Sequence, residues 1–398
     1  LNRPATTRRA ILAAPLAAPA ARAEAPPVRI GMLLPVTGRL AALAPPMRAG
    51  IALALAEVAA AGGVLGGRPL EAIEADDRSD PLAGVAAARM LVERGVAAII
   101  GPAASGVVVA VANAVTVPAG VPLISPAATA PAVSWIRDDD TVFRTAVPEG
   151  LQGRVLARLA REAGLARVAA LFANTEAGRG LLAAFASAFA TRGGTVTASQ
   201  AYEEARPSYR AELQALAARG EPQALLVVGA AGSGGATILR ESAALRAFSR
   251  HLGMGGLRDE AAGPLEGMFG TGPASADSRG LQAFAEAFRR ANPTLDPAAP
   301  FAAEAYDAAM LLALAVQAGG AEPGAIRRQL RAVANGPGEA VGPGDFARAR
   351  DLLSRGMGVD YGGASGPLEF DEAGDARGIV EQWAVRGGRV ERVGLLSA

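Results

Sequence analysis

Side chains capable of covalent chemistry are scarce in this sequence. It has no cysteine and one histidine, His251, and every one of its 39 basic residues is arginine. Without lysine there is no amine for a Schiff base and no phosphate-loop lysine. Without cysteine there is no thiol nucleophile, no thiolate zinc site and no disulfide. A serine–histidine–carboxylate device would have to use His251, in FSRHLGMGG, where a lone histidine reads as ordinary packing or surface. Carboxylate-only chemistry stays open, so enzymes are disfavoured rather than excluded. What remains is the chemistry of hydroxyls and backbone. Three loops are short on bulk: PVTGRLAALAPP (35–46), GPAASG (101–106) and SPAATAP (125–131). Small residues let the main chain approach a ligand closely, and exposed N–H groups attract anions, carboxylates in particular. Ser105 and Thr129 add hydroxyls to the second and third loops. Each also has a plain structural reading, Ser105 as a helix cap and Thr129 as the shaper of a turn.

Other motifs are weaker. VVGAAGSGGAT (227–237) misses the register of G-x-G-x-x-G, and no acidic residue follows in the right place for a dinucleotide site. ADDRSDP (75–81) is acidic, but its spacing is not that of a calcium loop, and capping by Asp80 explains it better. DEAGDARG (371–378) reads as a turn between strands. Neither a metal nor a cofactor is expected.

The elements that must hold the three loops alternate. VRIGMLLP (28–35), PLEAIEADD (69–77), VAAIIGP (96–102) and VPLIS (121–125) read as short buried strands. Helices stand between them, the first over 47–63 and the second starting at Asp80-Pro81. The rhythm resumes with strands at 167–173, 195–202 and 223–230 and helices near 149–163, 178–192 and 208–219. Alternation of this kind means an α/β fold, and two such runs mean two doubly wound lobes with parallel central sheets. In such sheets ligands sit at the carboxyl ends of strands, where the three loops lie. Residues 278–334 read as mostly helical. FAAEAYDAAMLLALAVQAGG is apolar enough to be mistaken for a membrane span, but Glu304 and Asp307 sit near its start and its uninterrupted apolar length is too short. The stretch 366–390 reads as a turn and two short strands.

The N-terminus has the order of an export signal: a basic start at Arg8-Arg9, the apolar run AILAAPLAAPAA (10–21), then Ala21-Arg22-Ala23 at cleavage spacing. The paired arginines are similar to a twin-arginine signal. No cysteine follows, so a lipid-anchored form is not expected. Removing 1–23 takes away Arg3, Arg8, Arg9 and Arg22 and no acid, which leaves a slight acidic excess. That balance argues against nucleic acid as a partner, and a cysteine-free exported chain suits the periplasm.

From IGMLLPVTG onward the motifs fall in a familiar order: EVAAAGGVLGGRPLE, DDRSDP, IIGPAASG, VPLISPAATAP, FRTAVPEGLQG, NTEAGRG, AYDAA and GPLEFDEAGD. Over nearly all of 28–390 the chain resembles the periplasmic type I substrate-binding proteins of ABC importers, specifically the branched-chain amino-acid (leucine-isoleucine-valine) group. The resemblance implies two lobes joined by a three-crossover hinge that closes on a ligand. It places the crossovers near 145–149, 268–274 and 355–367, with an N-terminal lobe of 28–146 plus 273–357 and a C-terminal lobe of 147–272 plus 358–398. It implies that Ser105 donates its hydroxyl to a ligand carboxylate, that Thr129 offers hydroxyl and N–H, and that Ala127 and Ala128 offer backbone groups.

The rest of the family pattern is missing. Aromatic positions of amino-acid binders fall at Leu43, at Ala177 in NTEAGRG and at Ala230 or Ala231, and the carboxylate that faces a ligand ammonium falls near Gly255. Glu176, Asp259 and Glu260 are the candidate substitutes, with no place in the cleft assigned to them by the sequence. A bound ammonium without a counter-charge is costly in a closed cleft. An acid without an amine, or an amide, is therefore as open as an amino acid. The expectation is a non-enzymatic, monomeric periplasmic receptor that delivers a small carboxylate-bearing molecule to an inner-membrane ABC permease. A ligand-sensing subunit of the same fold and a periplasmic enzyme are the alternatives.

Overall fold

The structure is a computed structural model and describes residues 26–204, 206–229, 232, 234–260, 265–274 and 278–397. The expected export segment, 1–23, lies outside the described residues. In the first lobe five strands, β1 (Val28–Leu34), β2 (Leu70–Asp76), β3 (Ala98–Ile100), β4 (Leu123–Ser125) and β5 (Val142–Arg144), make a sheet in the order β2-β1-β3-β4-β5. Every pairing in it is parallel. β3 and β4 are buried throughout, as strands covered by helices on both faces must be. The covering helices are α1 (Ala44–Ala60), α2 (Pro81–Glu93) and α3 (Ser105–Val111), the last running through a π-helical turn at Ala112–Thr116 into α4 (Val117–Ala119). Asp80 caps α2, its carboxylate accepting from the Ala83 N–H at 2.9 Å, with Pro81 as the first helical residue.

The second lobe holds α5 (Gly150–Glu162), β6 (Arg167–Ala173), α6 (Glu176–Thr191), β7 (Thr195–Tyr202), α7 (Arg210–Ala217), β8 (Ala224–Gly229), α8 (Gly235–Leu245), β9 (Arg250–Gly255) and β10 (Phe269–Pro273). The chain returns to the first lobe for α9 (Arg279–Ala291), α10 (Ala302–Gly319), α11 (Pro323–Ala334), β11 (Glu339–Val341), α12 (Phe346–Ser354) and β12 (Val359–Tyr361). It ends in the second lobe with the hairpin β13 (Val380–Arg386) and β14 (Arg389–Leu396). The second sheet has the order β14-β13-β10-β9-β8-β6-β7, parallel from β7 to β10 and antiparallel where the hairpin joins.

The apolar α10 is a core helix. From Ala305 to Val316 every residue is buried, and Met47, Ile51, Ala54 and Val58 of α1 belong to the same core. By length and composition alone Ala41–Ala60 would also suffice to cross a membrane, which shows how little that test separates a span from a packed helix. The one acid inside this run, Asp307, is fully satisfied. It accepts from the Tyr361 hydroxyl at 2.7 Å, the Ala364 and Ser365 N–H groups at 2.8 Å and the Ser365 hydroxyl at 2.6 Å. Burial pushes its pKa up, and these donors oppose the shift.

Two of the expected crossover positions need correction. Phe269–Pro273 is strand β10 of the second sheet, so the second crossing follows Pro273 instead of spanning 268–274. Residues 358–376 belong to the first lobe, not the second: β12 pairs with β11, and Leu368, Phe370 and Ala376 pack in the first-lobe core. The stretch 371–376 runs beside β5, with the Arg144 N–H donating to Gly374 O at 3.0 Å and the Ala376 N–H to Arg144 O at 3.2 Å. The third crossing therefore lies between Ala376 and Val380.

Candidate ligand site

Between the lobes lies a cavity of about 1110 Å³. The first lobe lines it with the loop after β1 (Arg39, Leu40, Leu43), the loop after β3 (Ala103 to Gly106), the loop after β4 (Ala127, Thr129, Ala130) and Phe301. The second lobe adds the start of α5 (Glu149, Gly150, Arg154) and one face of α6, beginning with Ala177 and Gly180. The three small-residue loops converge because each follows the carboxyl end of a parallel strand. A second depression of about 470 Å³, on the second lobe beside β10 and β13, touches none of them.

Most polar groups of the two hydroxyl loops hold each other. Ser125 donates its hydroxyl to Pro102 O at 2.6 Å and accepts from the Ala128 N–H at 3.1 Å, which ties the loop after β4 to the loop after β3. Ser105 does not cap α3. Its Oγ accepts from the Ala130 N–H at 3.2 Å, which leaves its own proton to donate. Thr129 does the reverse: its hydroxyl donates to Glu149 Oε1 at 2.7 Å, and the Glu149 N–H donates to Thr129 O at 3.1 Å. The Thr129 N–H has no acceptor among the described residues. The donors left for an anion thus include the Ser105 O–H and the Thr129 N–H, beside the N–H groups of Ser105 and Gly106 at the start of α3, which have no acceptor among the described residues. Ala127 lines the cavity, whereas Ala128 is fully buried in the core with its N–H on Ser125 and its C=O on Arg144, so it shapes the loop from behind.

Arg144, on β5, fixes the loop from beneath. Its side chain is wholly buried, and all five of its N–H groups have acceptors. Nε and Nη2 bond the two oxygens of Asp375 at 2.5 and 2.8 Å, and Nη2 also donates to Ser134 Oγ at 2.5 Å. Nη1 donates to Ala128 O at 3.1 Å and Ala130 O at 2.9 Å. Asp375 lies just before the third crossing, so one buried ion pair joins the loop to the hinge.

Among the weaker candidates, Leu43 and Ala177 line the cavity, and neither brings an aromatic ring. Glu176 opens α6. Ala231 lies outside the described residues. Gly255 is not among the lining residues, and its N–H is held by Gln152 Oε1 at 3.3 Å. Its φ is +80°, and a Cβ there would come within 2.5 Å of Gly229 O, so the backbone itself excludes a side chain at this point. Sequence reasoning did not single out Glu149, Arg154, Arg192, Trp135 or Phe301, and it reached Arg39 only as part of the first loop. The signal for Glu149 was its place at the expected first lobe crossing, 145–149, in TAVPEGLQG. Phe301 had none, because it reaches the cleft from the far segment of the first lobe with φ at +63°.

His251 is on β9 in the second lobe, buried, with Nε2 2.8 Å from Ser242 Oγ and its ring edge-on to Phe248. It is a packed histidine and not part of the cleft. Burial depresses its pKa from 6.5 to about 4. Because the folded state holds it neutral, its contribution to stability is complete above pH 6.5 and is lost as pH falls through about 4. Urea unfolding of the protein and of His251→Gln at pH 7.5 and pH 4.5 checks this: the loss on acidification should be smaller in the variant. Equal losses would contradict it.

The sequence profile of the family described as periplasmic binding protein matches residues 27–359. The chemotactic signal transduction system substrate-binding protein BasB of Halobacterium salinarum is 30% identical over 360 residues, covering 87% of this chain and 84% of the relative. An ABC transporter substrate-binding protein from Desulfitobacterium hafniense, solved in complex with Leu, is similar over 92% of this chain and 99% of its own, with 25% identity and a TM-score of 0.62. A solute-binding protein of an R. palustris ABC transporter, solved with benzoate, shares the fold at 22% identity over 94% of this chain and 97% of its own, with a TM-score of 0.60. With the profile spanning most of the chain and these likenesses running over both lobes, the protein belongs to the periplasmic binding proteins, as a substrate-binding protein of the branched-chain amino-acid ABC transporter type.

Proposed function

We propose that this protein is an exported, non-enzymatic receptor that holds one small carboxylate-bearing molecule between its lobes, closes on it and presents it to an inner-membrane ABC permease. The observation that carries the ligand class is the set of donors left over in the cleft, the Ser105 hydroxyl and the Thr129 N–H among them, in a pocket that Arg39 and Arg154 make cationic. Neither arginine has a carboxylate partner among the described residues, so both favour the approach of an anion. Closure would bring Arg154 and α6 of the second lobe toward the first-lobe loops, and only the closed form would show the permease both lobes at once. Export to the periplasm, by a twin-arginine or another route, fits the N-terminal pattern of the sequence.

A thermal-shift screen over amino acids, aromatic acids, dicarboxylates and amides tests this reading. A ligand at 100 times its Kd adds about 2.7 kcal/mol, so acids that bind should raise Tm by several degrees while their methyl esters do not. Stabilisation by esters or amides alone would sink the carboxylate assignment. A sensory role is the second reading, favoured by the likeness to a receptor from a chemotactic system. Co-purification of the liganded protein with a permease or with a transducer separates the two.

A further inference from the structure

We propose that Glu149 is the counter-charge for a ligand ammonium, so that the cleft selects an amino acid over the same acid without its amine. This deepens the proposed function and rests on the cleft being the carboxylate site. Among the described lining residues Glu149 is the one carboxylate. It stands at the N-terminal end of α5 yet makes no side-chain cap there; its carboxylate reaches across to the first lobe. Oε1 takes the Thr129 hydroxyl at 2.7 Å. Oε2 has no hydrogen-bond partner among the described residues and points toward Gly180 of α6, where even a Cβ would stand 3.7 Å away. The absence of a side chain on Gly180 leaves that oxygen open to the cavity.

The charge arrangement then decides the ligand. The Thr129 hydroxyl already donates its hydrogen bond to Glu149, so its oxygen has only lone pairs to offer a ligand. A ligand carboxylate on the Ser105 O–H and the Thr129 N–H would lie beside the Glu149 carboxylate, and repulsion between these like charges opposes the attraction that Arg39 and Arg154 exert on an anion. An ammonium on the neighbouring carbon removes the conflict. It donates to Glu149 Oε2 and Thr129 Oγ1 while the carboxylate takes the Ser105 O–H and the Thr129 N–H. The family resemblance places the counter-charge near Gly255, and Gly255 itself has no room for a side chain. Glu149 would supply the same charge from another element, the first lobe crossing.

The test uses three probe pairs that differ only in the amine: L-leucine and 4-methylpentanoate, L-phenylalanine and 3-phenylpropanoate, L-glutamate and glutarate. Titration calorimetry on the protein and on Glu149→Gln measures each. In the unaltered protein the amine-bearing member of the binding pair should be at least 10-fold tighter. Glu149→Gln keeps an oxygen for the Thr129 hydroxyl and should shrink that preference at least 10-fold, while Glu149→Asp, which keeps the charge, should restore part of it. Thermal unfolding of both variants separates this effect from misfolding. Deaminated acids that bind as tightly as their partners, or a preference that survives Glu149→Gln, overturn the proposal and leave the carboxylate reading standing. Failure of every amine-bearing probe to bind, with other acids of the wider screen binding, overturns the proposal alone; failure of every acid in that screen overturns both.

Discussion

Asp375→Ala is expected to cost about 3–5 kcal/mol of stability, the usual consequence of leaving one member of a buried ion pair alone, and to abolish ligand binding. Arg144 has no exposed side-chain surface, and Asp375 satisfies two of its N–H groups. Without that acid, the guanidinium must stay charged in a dry site or leave it. If it leaves, the carbonyls of Ala128 and Ala130 lose their donors, and the loop that presents the Thr129 N–H loses its support. Urea unfolding and calorimetry measure the two effects. The double variant Arg144→Met/Asp375→Leu separates them. It removes the charge together with its partner, so a large part of the stability should return. Binding should not return, because the two carbonyls remain without donors. A double variant that binds like the unaltered protein would show that the pair serves the fold alone.

Ser105→Ala is expected to weaken ligand binding about 10- to 100-fold, the range that follows from 1.5–3 kcal/mol for a hydrogen bond to a charged group. The loss has two parts. The variant has no hydroxyl proton for the ligand carboxylate, and the Ala130 N–H loses its acceptor, which loosens the neighbouring Thr129. The second part also lowers stability, by about 1 kcal/mol, so the melting temperature should fall modestly. Thr129→Ala should act differently. Its hydroxyl is bound to Glu149 and its N–H survives the substitution, so the variant should lose amine preference more than carboxylate affinity. Titration of both single variants and the double variant with an amino acid and its deaminated partner checks the division. Equal losses for both probes in Thr129→Ala would contradict it.

Much of the fold was legible because its strands are short apolar runs bounded by glycine and proline. β6 and β7 occupy the residues expected of them, and the helix between them shifts by two residues at its start. β9 and β10 were not legible. Each carries glycines, which weaken a strand signal, and the reason for them is elsewhere in the chain. Trp383 of β13 lies over them: a Cβ on Gly253 would come within 2.6 Å of its ring, and one on Gly270 within 2.4 Å. A close approach between strands more than a hundred residues apart leaves no local pattern. The third crossing was misplaced for a related reason, since 358–376 is held to the first lobe by β11, by β5 and by Arg144, all distant in sequence.

By itself the sequence determined that thiol, amine and zinc–thiolate chemistry are absent, that two α/β units follow one another, and that three small-residue loops sit at strand ends where a ligand can meet backbone. These are properties of residue type and local order. Only the tertiary structure decided which donors remain free, because a hydroxyl or N–H is available only after its internal partners are known. The Ser105 O–H remains free to donate because Ser105 accepts from Ala130; the Thr129 O–H does not, because it is bonded to Glu149. The same contact brought into the site a carboxylate that lies twenty residues from Thr129 in the chain and at hydrogen-bonding distance in space.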